Sequence, residues 1–233
     1  MTIFWIGGPA AAGKTTVSRL FARRHGYLWY SVDVHAHRHE QLAAAAGLHD
    51  PATGPGDFDR RPMILSDLSA ADTAVVVEGA LITPSMAGVG PDAVWLMPSA
   101  EEQQARLNER NPGESHEGYR WGLELIRSQL SNTGATVVNV DGQSVAETLA
   151  TVEQLFSPVI ASATAADSPA ARRSLIRTSN LHLVTHAQVR ARTSVTLDCE
   201  CATRTCTAQI TLSPNDAAHR TSTPTPPLLA TTH

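Results

Sequence analysis

The sequence predicts an α/β fold, a three-layer sandwich in which helices cover both faces of a parallel five-stranded sheet. Short apolar runs alternate with stretches of helical periodicity, which is the pattern of repeated β-α units. The first apolar run leads into a glycine-containing loop and then into an amphipathic helix. The chain has 233 residues, of which 42% are hydrophobic. This length is enough for one such domain with a small C-terminal helix and β-hairpin appendage.

The predicted elements follow one another in β-α order along the first two thirds of the chain. The predicted strands are residues 2–6, 27–32, 73–77, 93–97 and 136–140. The predicted helices are residues 14–24, about 36–47, 59–69, 100–110, 116–132 and 144–156. The third strand carries three consecutive valines, so we expect it to be the most buried of the five.

Residues 8–15 carry the most specific motif in the chain. They read G-P-A-A-A-G-K-T and match the phosphate-binding pattern G-x-x-x-x-G-K-[ST] at every required position. Lys14 is the only lysine in the chain, whereas arginine occurs many times. An arginine cannot replace a lysine where a compact ammonium must reach between phosphate oxygens. The motif, set between a strand and a helix, predicts nucleotide binding.

The positions of this loop have separate expected roles. Gly8 and Gly13 allow the tight, positive-φ path that points backbone N–H groups inward as an anion cradle. Lys14 is expected to bridge the β- and γ-phosphate oxygens. Thr15 is expected to place its hydroxyl on Mg²⁺, and Thr16 to bind an α-phosphate oxygen.

Acidic residues follow the second and third predicted strands. Asp33 is a candidate general base that would accept the proton of a substrate hydroxyl; the alternative is an N-cap for the next helix. Glu78 is a candidate for holding Mg²⁺ and its water beside the substrate, and the alternative is a simple strand-terminating acid. Because open α/β sheets bind ligands at the carboxyl ends of their strands, both are expected at one edge.

The segment between the second and third strands contains candidates for substrate recognition. Histidines alternate from His35 to His39, so they would share one face of an extended segment but spread around a helix. His35 is the candidate substrate contact among them, against the alternatives of a metal site or solvated side chains. Asp57, Arg60 and Arg61 are further candidates, and a surface helix is the alternative.

Arginines between the fourth and fifth strands suggest a lid. Arg106 and Arg110 lie four apart on one predicted helix face, and Arg120 and Arg127 follow beyond an Asn-Pro-Gly turn. A mobile arginine commonly neutralises the charge that develops during phosphoryl transfer. We expect Arg110 first, and Arg106 second, to serve this role; the alternative is exposed salt bridging with nearby glutamates.

Taken with these residues, positions 1–157 resemble the P-loop small-molecule kinases, the group that phosphorylates shikimate, gluconate, adenylate and chloramphenicol. The loop Gly8–Thr16 is common to P-loop NTPases, whereas Asp33, the Val75–Gly79 element and the arginine lid narrow the likeness to kinases. The resemblance implies strand order 2-3-1-4-5, adenine near Asp141 and Mg²⁺ on Thr15. The whole chain also resembles nucleotide-binding proteins of high-GC bacteria that carry a Cys-containing C-terminal extension.

The C-terminal third is predicted to be a separate appendage. Residues 158–168 are Ala/Ser/Thr-rich and read as a linker, 169–220 as a helix plus a Cys-containing hairpin, and 221–233 as a disordered tail. Three cysteines, Cys199, Cys201 and Cys206, could hold structural Zn²⁺, with His219 or His233 as fourth ligand. The C-x-C spacing is irregular for zinc, so a redox role or plain buried cysteines are the alternatives.

Charge and hydropathy limit the partners. The formal net charge is −4, which argues against general nucleic-acid binding. Residues 168–233 hold seven arginines against three acidic residues, a formal charge of +4. No apolar run is long enough to span a membrane, and the chain opens directly into a core strand, so we expect a cytoplasmic protein without a signal peptide.

These features together predict an ATP-dependent kinase that phosphorylates a hydroxyl of a small molecule. The alternative is a nucleotide-dependent regulatory module whose basic, Cys-containing tail contacts nucleic acid or protein. A narrower third reading, a kinase acting on a nucleic-acid end, would use both features. The sequence names neither the acceptor nor the oligomeric state.

Overall fold

The computed structural model describes residues 1–50, 58–110, 112–223 and 226–231. Its main sheet has five parallel strands in the order β2-β3-β1-β4-β5, so the predicted fold class and strand order are confirmed. The strands are β1 Ile3–Gly7, β2 Leu28–Ser31, β3 Val75–Glu78, β4 Ala93–Met97 and β5 Val137–Asn139.

Helices cover both faces of this sheet. They are α1 Lys14–His25, α2 Val32–Ala45, α3 Arg61–Asp67, α4 Pro84–Ala87, α5 Ala100–Arg110, α6 Glu117–Leu130, α7 Val145–Ile160, α8 Pro169–Val189 and α9 Pro214–Thr221. Two of them, α4 and α9, were not predicted. Each begins with a Thr-Pro or Ser-Pro pair whose hydroxyl caps the helix, a start signal that the sequence does contain. No helix of the described residues is long and apolar enough to cross a membrane.

Two apolar cores lie on the two faces of the sheet. On one face, Phe4, Phe21 and Phe156 pack with ring centroids 5.1 to 5.5 Å apart, which joins β1 to α1 and α7. On the other face, Trp95 and Leu123 are fully buried. Because both faces are covered, the central strands read as continuous apolar runs rather than as alternating ones.

Helix α8 lies along β2, which is the edge strand of the sheet. Ser179 Oγ donates to the carbonyl oxygen of Trp29 at 2.9 Å, and His186 Nδ1 lies 3.0 Å from the carbonyl oxygen of Val34. A covered edge strand presents fewer unpaired backbone groups to other chains. The C-terminal segment therefore packs directly on the main sheet through α8.

The stretch predicted as a linker is packed against the sheet. The N–H of Ala166 donates to the carbonyl oxygen of Gly26 at 2.8 Å, and the N–H of Ala74 donates to that of Thr164 at 2.7 Å. Helix α7 also extends four residues beyond its predicted end. These backbone bonds hold residues 164–166 in place, so they are not a flexible spacer.

The predicted hairpin is present, with β6 Val195–Asp198 antiparallel to β7 Gln209–Leu212. The chain after it was expected to be disordered from residue 221, and the described part of it is not. Leu228 is buried, and its N–H donates to Glu200 Oε2 at 2.9 Å. The same buried carboxylate accepts from Arg177 at 2.5 Å. A buried carboxylate needs hydrogen-bond donors around it, and Leu228 in the C-terminal tail supplies one of them.

Candidate functional site

The phosphate-binding loop joins β1 to α1 in the conformation that its glycines require. Gly8 has φ 132°, and a Cβ there would lie 2.2 Å from the carbonyl oxygen of Leu96, so no other residue fits. Gly13 has φ 84°. Ala11 has φ 62°, a left-handed conformation that is strained for a residue with a Cβ. The backbone is therefore locally strained at position 11, where a glycine is common in loops of this kind.

Lys14 lies in the first turn of α1 and is only 6% exposed. Its Nζ donates to the carbonyl oxygen of Pro9 at 2.8 Å, so the ammonium points back into the loop. The backbone N–H groups at a helix N-terminus and the helix dipole both attract anions. The loop therefore combines features that attract an anion with one fixed positive charge.

Glu78 ends β3 directly beside this loop. Its carboxylate is 1% exposed, and Oε2 accepts from Thr15 Oγ1 at 3.3 Å. Burial, and then the charge of Asp33, raise the pKa of Glu78 to about 7, against the opposing effects of Lys14 and of hydrogen bonds from Ser31 and Thr15. A hydroxyl and a carboxylate in contact offer hard oxygen donors of the kind that Mg²⁺ prefers.

Asp33 lies in the first turn of α2, because the helix begins four residues before its predicted start. The N-cap is Ser31, whose hydroxyl accepts from the N–H of Val34 at 3.4 Å, so the N-cap alternative for Asp33 is wrong. Both carboxylate oxygens of Asp33 lie 3.1 Å from the N–H of Ala80. Since β2 and β3 are adjacent and parallel, this carboxylate is brought beside Glu78.

A cleft of about 840 Å³ runs over the loop and collects most of the predicted site residues. Its lining includes the loop from Ala10 to Thr16, both acidic residues, Arg106 and Arg110. Two further lining residues, Leu183 and His186, come from α8. Sequence reasoning missed these two, since nothing in the pattern of a distant helix indicates which strand it will cover.

The two arginines of α5 occupy different positions. Arg106 donates to Glu102 at 2.7 Å, to the carbonyl oxygen of Val140 at 2.8 Å and to that of Ala11 at 3.3 Å. Arg106 therefore links the phosphate loop to the residue that follows β5. Arg110 is the last residue of α5 and is exposed at the cleft. Its position at a helix end beside the cleft leaves it more freedom than Arg106 has.

The loop after β5 follows the edge strand opposite β2, the strand that α8 covers. Asp141 Oδ1 accepts from the N–H of Ser99 at 2.8 Å, which links the ends of β4 and β5. Gln143 and Ser144, the next polar residues along this loop, line the cleft, whereas Asp141 does not. Asp141 therefore anchors this loop without lining the cleft, and adenine binding near it stays a prediction.

The alternating histidines, of which His35 is the expected substrate contact, lie on helix α2, where His35 and His39 turn to the buried side and His37 does not. His35 is buried, stacks on Tyr30 at a ring separation of 4.1 Å and lies 2.8 Å from the carbonyl oxygen of Ser31. Burial lowers the pKa of His35 to about 4 despite that hydrogen bond. His39 Nε2 contacts Asp67 at 3.2 Å. In this conformation His35 is a structural residue and does not line the cleft.

The arginines of the third predicted helix are also engaged elsewhere. Arg60 is 4% exposed and lies over the ring of Phe58, and Arg61 donates to the carbonyl oxygen of Met86. Neither lines the cleft over the loop. Asp57, the third candidate of this group, lies outside the described residues.

The three cysteines form one cluster in the turn that connects β6 to β7. Their Sγ atoms all lie within 4.8 Å of one another, and none of the described cysteines forms a disulfide. Although burial acts in the opposite direction, hydrogen bonds from Thr203 and the neighbouring thiols lower the pKa of Cys201 to about 6. His219 is not part of this cluster, and His233 lies outside the described residues. The cluster can hold a metal ion.

Several solved structures resemble this chain at low identity. A gluconokinase from Sinorhizobium meliloti 1021 is 19% identical with a TM-score of 0.48, and the match covers 69% of this chain and 94% of that one. A shikimate kinase from Acinetobacter baumannii is 20% identical with a TM-score of 0.45, covering 68% and 94%. The tunicamycin resistance protein of Deinococcus radiodurans is 18% identical with a TM-score of 0.46, covering 68% and 95%.

No family model and no curated protein matches the chain. The strand order β2-β3-β1-β4-β5 and the phosphate loop after β1 are observed directly. The strand order that the motifs implied is thus confirmed by the fold of this chain itself.

Proposed function

We propose that this protein is a kinase that transfers the γ-phosphate of Mg·ATP to a hydroxyl of a small molecule. The observation that carries the proposal is the meeting of Lys14, Thr15, Asp33, Glu78 and Arg110 around one cleft. These residues come from four separate elements and include the phosphate loop's lysine, a carboxylate pair and an exposed arginine at a helix end. Phosphoryl transfer needs these groups and little covalent chemistry from the protein.

The loop side of the cleft fits the nucleotide. The backbone N–H groups and Lys14 would bind the β- and γ-phosphates, and Thr16 an α-phosphate oxygen. Thr15 and Glu78 fit Mg²⁺, because their oxygens already lie 3.3 Å apart in the lining of the cleft. A bound Mg²⁺ would supply neutralisation of phosphate charge. The loop after β5, anchored by Asp141, would receive the adenine.

Asp33 fits the role of general base. The acceptor hydroxyl gives its proton to the Asp33 carboxylate as its oxygen forms a bond to the γ-phosphorus, and the bond from that phosphorus to the bridging oxygen of ADP breaks. The N–H of Ala80 orients the carboxylate, leaving lone pairs for the incoming proton. Arg110, supported by Arg106, would stabilise the charge that builds on the transferred phosphoryl group.

The acceptor end of the cleft is the side toward α8. Asp33, Ala80, Leu183 and His186 line it, and they combine one carboxylate, one imidazole and apolar surface. Burial lowers the pKa of His186, so at neutral pH it is an uncharged hydrogen-bonding group. This end suits a hydroxylated molecule without a strong negative charge. ATP and reduced cysteines both suit the cytoplasm as the working compartment.

The regulatory alternative has less support from the tail. Its arginines are largely used inside the molecule: Arg172 donates to the carbonyl oxygen of Ala202, Arg173 to that of Glu200 and Arg204 to that of Arg24. Groups committed in this way form a weaker electrostatic footprint for a nucleic acid than the sequence count suggests.

Label transfer from γ-labelled ATP tests the proposal. Purified protein with Mg²⁺ is incubated with pools of sugars, nucleosides, polyols and hydroxylated antibiotics, and Lys14→Ala serves as the blank. We expect label in one pool, with transfer by Asp33→Asn reduced by about 10²- to 10⁴-fold while ATP binding is retained. The exposed Asp72→Asn is the matched control. ATP binding without transfer to any pool would refute the kinase.

A further inference from the structure

The cysteine cluster has the backbone hydrogen bonding of a metal-thiolate site. Cys201 and Cys206 each interact with the backbone of the residue two positions on, Thr203 and Ala208 respectively. Cys199 Sγ accepts from the N–H of Ala230 at 3.4 Å. Backbone N–H groups directed at sulfur stabilise thiolates, and such outer partners orient the ligands of a metal centre.

A positive side chain completes this surrounding. Arg23 of α1 donates from one guanidinium nitrogen to Cys201 Sγ at 3.1 Å, and its Nε donates to the carbonyl oxygen of Thr203 at 2.8 Å. Arg23 as a whole residue is only 9% exposed. Three thiolates on one divalent ion carry a net negative charge, which a buried arginine offsets.

The spacing of the sulfurs also fits a single ion. In a tetrahedral site with Zn–S bonds of about 2.3 Å, sulfurs lie roughly 3.8 Å apart. The three Sγ atoms here lie within 4.8 Å of one another, so side-chain adjustments of about 1 Å or less bring them to that geometry. No backbone rearrangement is required.

We propose that Cys199, Cys201 and Cys206 bind one thiophilic divalent ion, zinc in the cell, with a fourth position left for a ligand outside this trio. The ion closes the turn between β6 and β7. This site is separate from the cleft over the phosphate loop and does not depend on the kinase proposal.

The ion has a structural reason to be there. The C-terminal core is small, with six buried residues in its cluster, and small cores of this kind are commonly held together by metal. The hairpin is fastened to α1 by Arg19, which binds Asp198 at 2.7 and 2.8 Å, and to α8 by Asn180, which exchanges two 2.9 Å bonds with the backbone of Asp198. The ion thus stabilises the segment that carries Leu183 and His186 to the cleft.

Metal analysis of the full chain is the first test. Protein purified under reducing conditions, without chelator and without a histidine tag, is analysed for zinc. We expect one zinc per chain, and loss of it in Cys201→Ser and Cys206→Ser. Thr205→Ala is the matched control, because Thr205 lies in the same turn and is exposed; it should keep its zinc. Zinc retained by both serine variants, or absent from fresh reduced wild type, overturns the proposal.

Cobalt substitution keeps the test decisive if the serine variants do not fold. Wild-type protein, stripped of metal and refolded with Co²⁺, should show intense sulfur-to-cobalt charge-transfer bands and the visible bands of a tetrahedral ion. A change of the visible bands on adding imidazole would report an exchangeable fourth ligand. A Co²⁺ spectrum without charge-transfer bands, or an intact mass lower by two hydrogens in the isolated protein, would show a disulfide or inert thiols instead and overturn the site.

Arg23→Gln separates the metal centre from mere packing. We expect this variant to bind zinc at least about 10-fold more weakly in a competition with a chromophoric chelator, as is typical when an outer partner of a ligand is removed. Arg24→Gln is the control, because Arg24 pairs with Glu153 on the other side of α1. Equal zinc affinity in both variants would contradict the proposed charge balance.

Discussion

Thr15 Oγ1 donates to Glu78 Oε2 at 3.3 Å, so the end of β3 lies directly beneath the start of α1. This contact joins residues 63 positions apart and exists because β3 is inserted beside β1 in the sheet. If the proposed function holds, these two oxygens bind the magnesium ion, and the carboxylate of Glu78 contributes a negative charge to the site.

Glu78→Gln is expected to weaken the use of magnesium while preserving the fold. The amide oxygen can still accept from Thr15, but the charge is lost. The Mg²⁺ concentration for half-maximal activity should rise by about 10-fold, the cost of one charged contact, whereas metal-free ATP binding should not weaken. Glu101→Gln, at an exposed position of α5, is the control. An unchanged magnesium dependence would rule out Glu78 as a ligand.

Gly79→Ala is expected to disturb Asp33 without touching the phosphate loop. A Cβ at Gly79 would lie 3.0 Å from Asp33 Oδ1 and 3.0 Å from the Cβ of Val32, so the carboxylate must shift. Small displacements of a catalytic group are costly, and we expect kcat to fall by about 10- to 100-fold with little change in KM for ATP. Gly122→Ala in α6 meets no atom within 4 Å and should leave activity unchanged. Full activity in Gly79→Ala would contradict the role of Asp33.

Ala11→Gly should be tolerated and should relieve strain in the loop. The left-handed backbone costs alanine about 1–2 kcal/mol, while glycine loses about 0.5–1 kcal/mol more entropy on folding. The net gain in the free energy of unfolding is therefore about 0–1.5 kcal/mol, measured by urea denaturation. Ala11→Val, with a branched side chain at the same φ of 62°, should instead destabilise the protein and weaken ATP binding. Equal stability of the glycine and valine variants would show that this backbone conformation is not maintained.

Because His35 is buried and uncharged, we expect the folded protein to lose stability in acid. The pKa of His35 is about 4 in the fold and 6.5 in the unfolded chain, so between these values only the unfolded chain takes up the proton. The contribution is complete above pH 6.5 and is lost as the pH falls toward 4; by pH 5 the loss is about 2 kcal/mol. Burial likewise lowers the pKa of His39 and of His182, which face His35 and act in the same direction.

Replacing His35 by phenylalanine tests this explanation. The ring can still stack on Tyr30 but cannot be protonated, so the change in the free energy of unfolding between pH 7.5 and pH 5.0 should shrink by about 2 kcal/mol. His37→Phe is the matched control, because His37 lies on the same helix outside the buried core. The same acid slope in wild type and in His35→Phe would place the titrating group elsewhere.

The local features of this protein can be read from its amino-acid sequence. The phosphate loop, the five strands and most of the helices follow from short-range signals: glycines at positive φ, apolar runs such as Val75–Val77, and helical periodicity. The position of the hairpin around the cysteines was also predictable, because alternation and turn residues are local. The helices that escaped prediction, α4 and α9, are short, so their periodicity is weak even though their caps are present.

Which distant residues meet depends on how the elements pack in three dimensions. Asp33 binds Ala80 because β2 and β3 are neighbours, and His35 turns inward because α2 begins at Val32. Leu183 reaches the cleft because α8 covers an edge strand, and Arg23 reaches Cys201 across 178 positions. Such contacts depend on strand order, register and the packing of one element on another. No short pattern encodes them, because each is a property of two segments brought together by the whole core.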